Sequence, residues 1–89
     1  MASTQSPFTG LILLSSRDIP GVEESLRAVI SPFALEIREV QKIQLRGRLI
    51  LGLLIACDPA HASAIEDDLS AFSLNSGFDV AIDYSPIPE

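Results

Sequence analysis

The sequence predicts one α+β domain in which a four-stranded antiparallel sheet carries two helices on one face. Strand-like and helix-like periodicities follow one another in the order βαββαβ. The first and third strand segments are apolar on both faces, whereas the second and fourth alternate between apolar and polar residues. In a split βαβ sandwich with right-handed crossovers, the first and third strands are central and the others lie at the edges. Burial pattern and topology therefore agree on a ferredoxin-like sandwich.

Composition and charge exclude several classes of protein. The chain has 89 residues, of which 47% are hydrophobic, and a net charge of −6. Its longest apolar stretch, residues 49–57, is much shorter than the roughly 20 residues of a membrane-spanning helix. The start of the chain lacks the basic residues of a signal peptide, and an acidic surface repels phosphate backbones. We expect a cytoplasmic domain that binds neither nucleic acid nor membrane.

Metal-binding and catalytic residues are not predicted in this chain. Cys57 is the only cysteine, which excludes an internal disulfide and a cysteine-based metal site. The carboxylates of residues 66–68 diverge by about 100° per residue on a helix, so they do not converge on a metal. His61 has no nucleophile or second histidine at a matching spacing, and we expect it to be exposed to solvent.

The first half of the predicted domain is a strand followed by a helix. Residues 9–16 form the first central strand. Pro20 fits the first turn of the helix, and Pro32 ends that helix near Ser31. The apolar stripe at helical spacing comprises Val22, Leu26, Val29, Ile30 and Phe33.

A hairpin follows this helix. Residues 35–46 read as an edge strand with one wet face, and residues 39–41 interrupt its alternation, which predicts a bulge or bend. Gly47 forms the turn into a second central strand, residues 49–57. The apolar set expected on one face of the edge strand is Leu35, Ile37, Ile43 and Leu45. The polar set expected on the other face is Glu36, Arg38, Lys42, Gln44 and Arg46.

The second helix and the last strand complete the pattern. Asp58 is the predicted N-cap, with Pro59 in the first helical position, and Gly77 is the predicted stop. Residues 78–84 alternate as a half-exposed strand. The helical stripe comprises Ile65, Leu69 and Phe72.

One face of the predicted sheet has no helix to cover it. Either Ile12, Leu14, Ile50 and Leu54, or their opposite-parity neighbours, must point away from the helices. An uncovered apolar face is a liability in a monomer. We therefore expect a second copy, or a second domain of a longer chain, on this face or along an edge.

The segment 15–22 carries a family resemblance. A strand end that runs into Asp-x-Pro-Gly at a helix start, Asp18 to Gly21, resembles the ligand loop of ACT domains. These are βαββαβ regulatory modules that bind amino acids, typically between paired copies. Residues 40–51 and 77–82 are similar to the first ACT domain of the actinobacterial type of phosphoserine phosphatase. In that family, tandem ACT domains precede a haloacid-dehalogenase-type phosphatase domain.

The resemblance implies a regulatory fragment of a hydrolase. It implies an ACT domain over residues 9–85, preceded by a disordered N-terminus at 1–8 and followed by the start of a linker at 86–89. The phosphatase motif Asp-x-Asp-x-Thr does not occur in the chain, so no catalytic residue, cofactor or metal is expected here. Magnesium is expected only in an attached phosphatase domain. Serine biosynthesis, with L-serine as the feedback ligand, is the implied context, although Ser15-Ser16 departs from the usual residues before the aspartate.

The implied ligand site also makes physical sense. Its residues are Asp18, Ile19, Pro20, Gly21 and Val22. The start of a helix offers free N–H groups to a carboxylate, and Gly21 lets a ligand approach the backbone. Asp18 would then hold the ammonium group of the same zwitterion. In the competing interpretation Asp18 only caps the helix, and Pro20-Gly21 only sets the turn.

Two functions from other classes compete with amino-acid sensing. A structural oligomerisation domain would use the same apolar sheet face and leave the loop empty. A small hydrolase of the acylphosphatase type would need an arginine anion cradle and a water-orienting asparagine. The only asparagine, Asn75, lies far in sequence from the Asp18 loop, which disfavours that reading.

Overall fold

The structure is a computed structural model that describes residues 8–86, and it has the predicted ferredoxin-like βαββαβ architecture. A short 3₁₀ turn, Pro59–His61, precedes the second helix. The elements are β1 (Phe8–Arg17), α1 (Val22–Ile30), β2 (Leu35–Leu45), β3 (Arg48–Cys57), α2 (Ala62–Ser76) and β4 (Asp79–Pro86). The remaining residues of the predicted disordered N-terminus and of the predicted linker lie outside the described range.

The doubly apolar strands are central, as predicted. The sheet order is β2-β3-β1-β4, and every neighbouring pair is antiparallel. Both helices cover one side, which we call the helix face, and the core lies between them and β1 and β3. The buried core residues are Ile12, Leu14, Val22, Leu26, Ile30, Leu49, Leu51, Leu53, Ile55, Ile65 and Leu69. Neither helix of the described residues is long and apolar enough to span a bilayer.

Two chain ends that the sequence places outside the domain belong to the sheet. Phe8, predicted as part of the disordered N-terminus, is the first residue of β1, where it pairs with Cys57 and Pro86. Its ring stacks on that of Tyr84, with 5.3 Å between ring centroids. Pro86, predicted as the first linker residue, is the last residue of β4. Gly10 makes room for the aromatic pair, since a Cβ there would lie 2.9 Å from the Tyr84 ring.

Tyr84 provides a spectroscopic test of this packing. Its hydroxyl donates a 2.9 Å hydrogen bond to the carbonyl oxygen of Ala62, and burial raises its pKa to about 12. A raised pKa means that the neutral phenol stabilises the fold at pH below about 10, and that this contribution is lost as the pH rises towards 12. Tyr84 is the only tyrosine, so ultraviolet titration of its phenolate should show a midpoint well above 10 that falls to about 10 in denaturant. A midpoint near 10 in the folded protein would contradict this packing.

Helix α1 begins later than the sequence predicts. Gly21, which follows Pro20, is the N-cap, and its φ of 85° is left-handed. The first helical bond runs from the N–H of Ser25 to the carbonyl of Gly21 at 3.0 Å. Pro20 therefore lies in the turn before the helix. The predicted end is confirmed, because Ser31 is the C-cap directly before Pro32.

Helix α2 ends at Gly77 as predicted, but Asp58 and Pro59 begin a 3₁₀ turn, and α2 itself begins at Ala62 with His61 as its N-cap. Asp58 accepts a 3.0 Å hydrogen bond from the N–H of Ala60, and it caps the 3₁₀ turn that leads into the helix. Gly77 is the left-handed C-cap, and its N–H donates to the carbonyl of Ser73. His61 differs from the prediction. It is half-buried and packs at 6.2 Å from the Phe33 ring.

The bulge in β2 reverses the faces of the second half of that strand. The register shifts between Ile37 and Glu39, so one extra residue stands opposite β3. Because side chains alternate along a strand, every later residue changes face. The predicted single apolar face is therefore wrong: Leu35 and Ile37 pack against the core, whereas Ile43 and Leu45 are exposed.

The uncovered side of the sheet, which we call the open face, is apolar as expected. Leu11 and Leu13 point to it, and Ile12 and Leu14 are in the core. On β3 the open face carries Ile50 and Leu54, which register pairing places beside the residues of β1 that point to this side. Neither of the two predicted sets is found as a whole, because β1 exposes the neighbours of Ile12 and Leu14, whereas β3 exposes Ile50 and Leu54 themselves.

Candidate functional site

The loop between β1 and α1 is anchored to the β2–β3 turn. The N–H of Asp18 donates to the carbonyl of Gly47 at 2.9 Å, and the N–H of Ile19 donates to the carbonyl of Arg17 at 3.0 Å. The turn itself has φ of 53° at Arg46 and 76° at Gly47, as a tight two-residue hairpin requires. The hydrogen bond between the β1–α1 loop and the β2–β3 turn therefore holds the loop at one end of the sheet.

The Asp18 carboxylate is held by β2 and not by the helix. The amide nitrogen of Gln44 donates to both carboxylate oxygens, at 3.2 and 3.1 Å. No side chain of the described residues caps α1. The interpretation of Asp18 as a helix cap is therefore wrong, and its exposed carboxylate keeps acceptor sites open to a cation.

The start of α1 offers hydrogen-bond donors beside this carboxylate. The N–H groups of Val22, Glu23 and Glu24 lie in the first helical turn, where no earlier carbonyl is in position to accept them. The positive end of the helix dipole lies at the same place. An ideal Cβ on Gly21 would have no atom within 4 Å, so the backbone is open there. This helix start can receive an anionic group.

A row of three paired charged side chains lies next to these donors. The Nζ atom of Lys42 lies 3.2 Å from Oε1 of Glu23, and the guanidinium of Arg27 lies 3.0 Å from Oε2 of the same residue. The hydrogen bond from Arg27, and then that from Lys42, lower the pKa of Glu23. Glu23 is therefore ionised at neutral pH. Its contribution to stability is present above its ordinary pKa and is lost as the pH falls through the lowered one.

The Asp18 loop, the start of α1 and two side chains of β2 surround one cavity of about 390 Å³, which we call the loop pocket. Its volume lies within the range of small-molecule sites, about 300–1,000 Å³. All five residues of the predicted ligand loop line it. The full lining is Asp18, Ile19, Pro20, Gly21, Val22, Glu23, Glu24, Lys42, Gln44 and Leu49.

Sequence reasoning missed the contribution of β2 to this pocket. The alternation in the sequence predicts that Lys42 and Gln44 lie on a solvated strand face. The interruption at residues 39–41 was the available signal, because a bulge there turns both side chains to the helix side, beside the loop. Among residues 8–86, no group of three or more metal-ligating side chains is close enough to hold a metal ion.

Comparison with known proteins identifies the family. The sequence model of the ACT domain matches residues 11–83. The chain belongs to the ACT domain family. Over 77 residues this ACT domain is 39% identical to phosphoserine phosphatase SerB2 of Mycobacterium tuberculosis. That alignment covers 84% of this chain but only 19% of the relative, so the chain spans about a fifth of the relative's length.

Solved structures support the same fold. An ACT domain protein from Streptococcus pneumoniae superposes with a TM-score of 0.75 at 14% identity, covering 88% of this chain and 90% of that one. A formyltetrahydrofolate deformylase from Burkholderia mallei gives a TM-score of 0.75 at 11% identity, over 86% of this chain and 28% of that one. The predicted resemblance to ACT domains, and to that of a phosphoserine phosphatase, is confirmed.

Proposed function

We propose that this ACT domain is a regulatory amino-acid sensor, with L-serine as its ligand, and that it belongs to a cytoplasmic phosphoserine phosphatase of serine biosynthesis. One observation carries the proposal. A single pocket combines the exposed carboxylate of Asp18 with the open helix start at Gly21. The identity with a phosphoserine phosphatase supports the biosynthetic context.

The two poles of an amino acid match the two ends of this pocket. The ammonium group would bind to Asp18, which Gln44 holds in place through both carboxylate oxygens. The carboxylate would accept hydrogen bonds from the N–H groups of Val22 and Glu23 beside Gly21. Lys42 is paired with Glu23, so its charge is offset there and the donors for the ligand carboxylate are the backbone N–H groups.

Regulation would follow from the position of the pocket beside the edge strand β2. Lys42 and Gln44 belong to β2, which is an edge strand of the sheet. A second ACT domain along that edge would border the loop pocket, so ligand and neighbour would favour one relative arrangement. Such coupling is typically about 1–3 kcal/mol, enough for several-fold control. This chain would need no cofactor, and magnesium would act in the attached phosphatase domain.

A ligand-free oligomerisation domain is the second candidate function. The exposed leucines and isoleucines of the open face favour it. The two candidates differ at the loop pocket alone, because only the sensor needs Asp18 and Gly21 for its activity.

Calorimetric titration with L-serine, glycine, L-alanine and D-serine tests the sensor directly. We expect saturable binding of L-serine and at least about tenfold weaker binding to Asp18→Asn, because a charge-assisted hydrogen bond is lost. The matched control is Asp58→Asn, which removes one carboxylate from the cap of the 3₁₀ turn before α2. Absence of binding by any of the four, or equal binding by both variants, would reject the sensor.

A further inference from the structure

The end of the sheet at the β2–β3 turn carries two arginines side by side. Arg17, the last residue of β1, pairs in register with Arg48, the first residue of β3. Directly opposite residues of antiparallel strands have Cβ atoms about 4.5–5.5 Å apart, and like charges in such positions destabilise a sheet. Both side chains are exposed and point to the open face, since they share the parity of Leu13 and Ile50. An anion bound between them would relieve this repulsion.

Neither guanidinium has an acidic partner among residues 8–86. The cations that do form ion pairs there are Arg27, Arg38 and Lys42. Arg48 donates one side-chain hydrogen bond, from Nη2 to the Oγ of Ser15 at 3.0 Å, and Arg17 donates none. In a chain with twelve acidic and six basic residues, two adjacent arginines without an acidic partner are unexpected. Because a guanidinium has five N–H donors, nearly all the donors of this pair are free for a ligand.

The two arginines line a cavity of about 360 Å³, which we call the arginine pocket. It lies between the ends of β1 and β3 and residues 76–78, where α2 leads into β4. Its volume lies within the range of small-molecule sites, about 300–1,000 Å³. Ile19 is the one residue that lines both this cavity and the loop pocket, so the two pockets are distinct.

The opposite wall of the arginine pocket is negative. Asp79 of β4 lines it, and this residue lies opposite Ser15 in register. Its carboxylate forms no ion pair among the described residues. The C-terminal end of α2, at Ser76, lies on the same wall, and the last carbonyl groups of a helix carry the negative end of its dipole. Strands β3 and β4 flank β1, so the two walls stand about 10 Å apart at the backbone.

We propose that the arginine pocket binds a small phosphate monoester that carries an ammonium group, which is the chemistry of a phosphorylated amino acid. The phosphate would bridge Arg17 and Arg48, because planar guanidinium groups match phosphate oxygens, and the hydroxyl of Ser15 would donate a further hydrogen bond. The ammonium group would lie against Asp79 and the end of α2. A phosphate monoester carries a charge of about −2, which matches two guanidinium groups better than a carboxylate does.

A small ester suits this site better than a nucleic acid does. The chain has a net charge of −6, which repels a long phosphate backbone. The third arginine of the region, Arg46, lies in the adjoining turn and does not line the pocket. Its side chain also forms no ion pair within residues 8–86, so Arg46 provides a matched control for the effect of charge alone.

Calorimetric titration with O-phospho-L-serine, at about pH 7.5, tests the two arginines. We expect saturable binding that Arg17→Gln and Arg48→Gln each weaken at least about tenfold, because a charge-assisted hydrogen bond is lost. Arg46→Gln removes the same charge outside the pocket and should bind within about twofold of the unchanged protein. All three side chains are exposed, so the variants should keep the fold, which circular dichroism checks. Absence of binding at millimolar ester, or an equal loss in all three variants, would overturn the site.

The two charged groups of the ligand can be tested separately. Asp79→Asn should weaken binding of O-phospho-L-serine at least about threefold and strengthen binding of inorganic phosphate, because the lost carboxylate attracts an ammonium group and repels an anion. Stronger binding of both would contradict the ammonium position. L-Aspartate should bind at least about tenfold more weakly than the ester, because its side chain is a carboxylate. Equal affinities would contradict the phosphate position.

Nitrogen-15 spectra locate the bound ester. The side-chain Nε–H signals of Arg17 and Arg48 should shift on addition of O-phospho-L-serine, and they should shift equally in Asp18→Asn, which disables the loop pocket. Shifts confined to the amides of residues 22–24 would place the ester in the loop pocket and overturn the inference. The arginine pocket and the serine sensor can therefore fail separately.

Discussion

Replacing Leu53 by alanine should lower the free energy of unfolding by about 3 kcal/mol, within the range of about 2–5 kcal/mol for buried leucines. Leu53 is fully buried at the centre of β3, opposite Ile12 and beneath the helices. A small domain has a total stability of about 5–15 kcal/mol, so this one change removes a large fraction of it. Urea unfolding at low protein concentration measures the loss, with an unchanged m-value.

The next residue is the matched control. Leu54 follows Leu53 in the same strand but points to the open face, where it is half-buried. Leu54→Ala should therefore cost well under half as much in the monomer. Equal losses for the two variants would mean that the face assignment of β3 is wrong.

Gly21→Ala should abolish the response to L-serine while the chain remains folded. A left-handed φ costs a non-glycine residue about 1–2 kcal/mol, and the added methyl group meets no atom within 4 Å, so the fold accepts it. The methyl group occupies the wall of the loop pocket where the ligand carboxylate would approach. Calorimetry with L-serine and urea unfolding measure the two effects.

Gly77→Ala separates backbone strain from loss of the site. Gly77 has a φ of 79°, and a Cβ there also meets no atom within 4 Å, but it is not part of the loop pocket. Both variants should lose similar stability, and only Gly21→Ala should lose binding. If Gly77→Ala weakened binding equally, the effect at Gly21 would reflect general destabilisation.

The order of strands could be predicted because burial leaves a direct trace in sequence. Residues 9–16 and 49–57 are apolar at both parities, and only central strands bury both sides. The choice between the two faces could not be predicted. In a run such as Leu53-Leu54, either residue could face the core. The packing of the helices decides which of the two does so.

The composition of the site could be predicted only in part. The loop from Asp18 to Val22 stands out because its motif is local in sequence. Lys42 and Gln44 join it through a register shift between Ile37 and Glu39, and a single residue of shift turns every later side chain over. The sequence predicts too early a start for α1, because proline suits both a first helical turn and the turn before it.

Amide chemical shifts of isotope-labelled protein during titration with L-serine test the central claim most directly. If the zwitterion binds between Asp18 and the start of α1, the largest shifts should fall on the backbone amides of Val22, Glu23 and Glu24. The side-chain amide of Gln44 should shift with them, since it holds the Asp18 carboxylate. Amides that stay unmoved there at millimolar L-serine, or shifts confined to the open face, would contradict the assignment of this pocket as an amino-acid site.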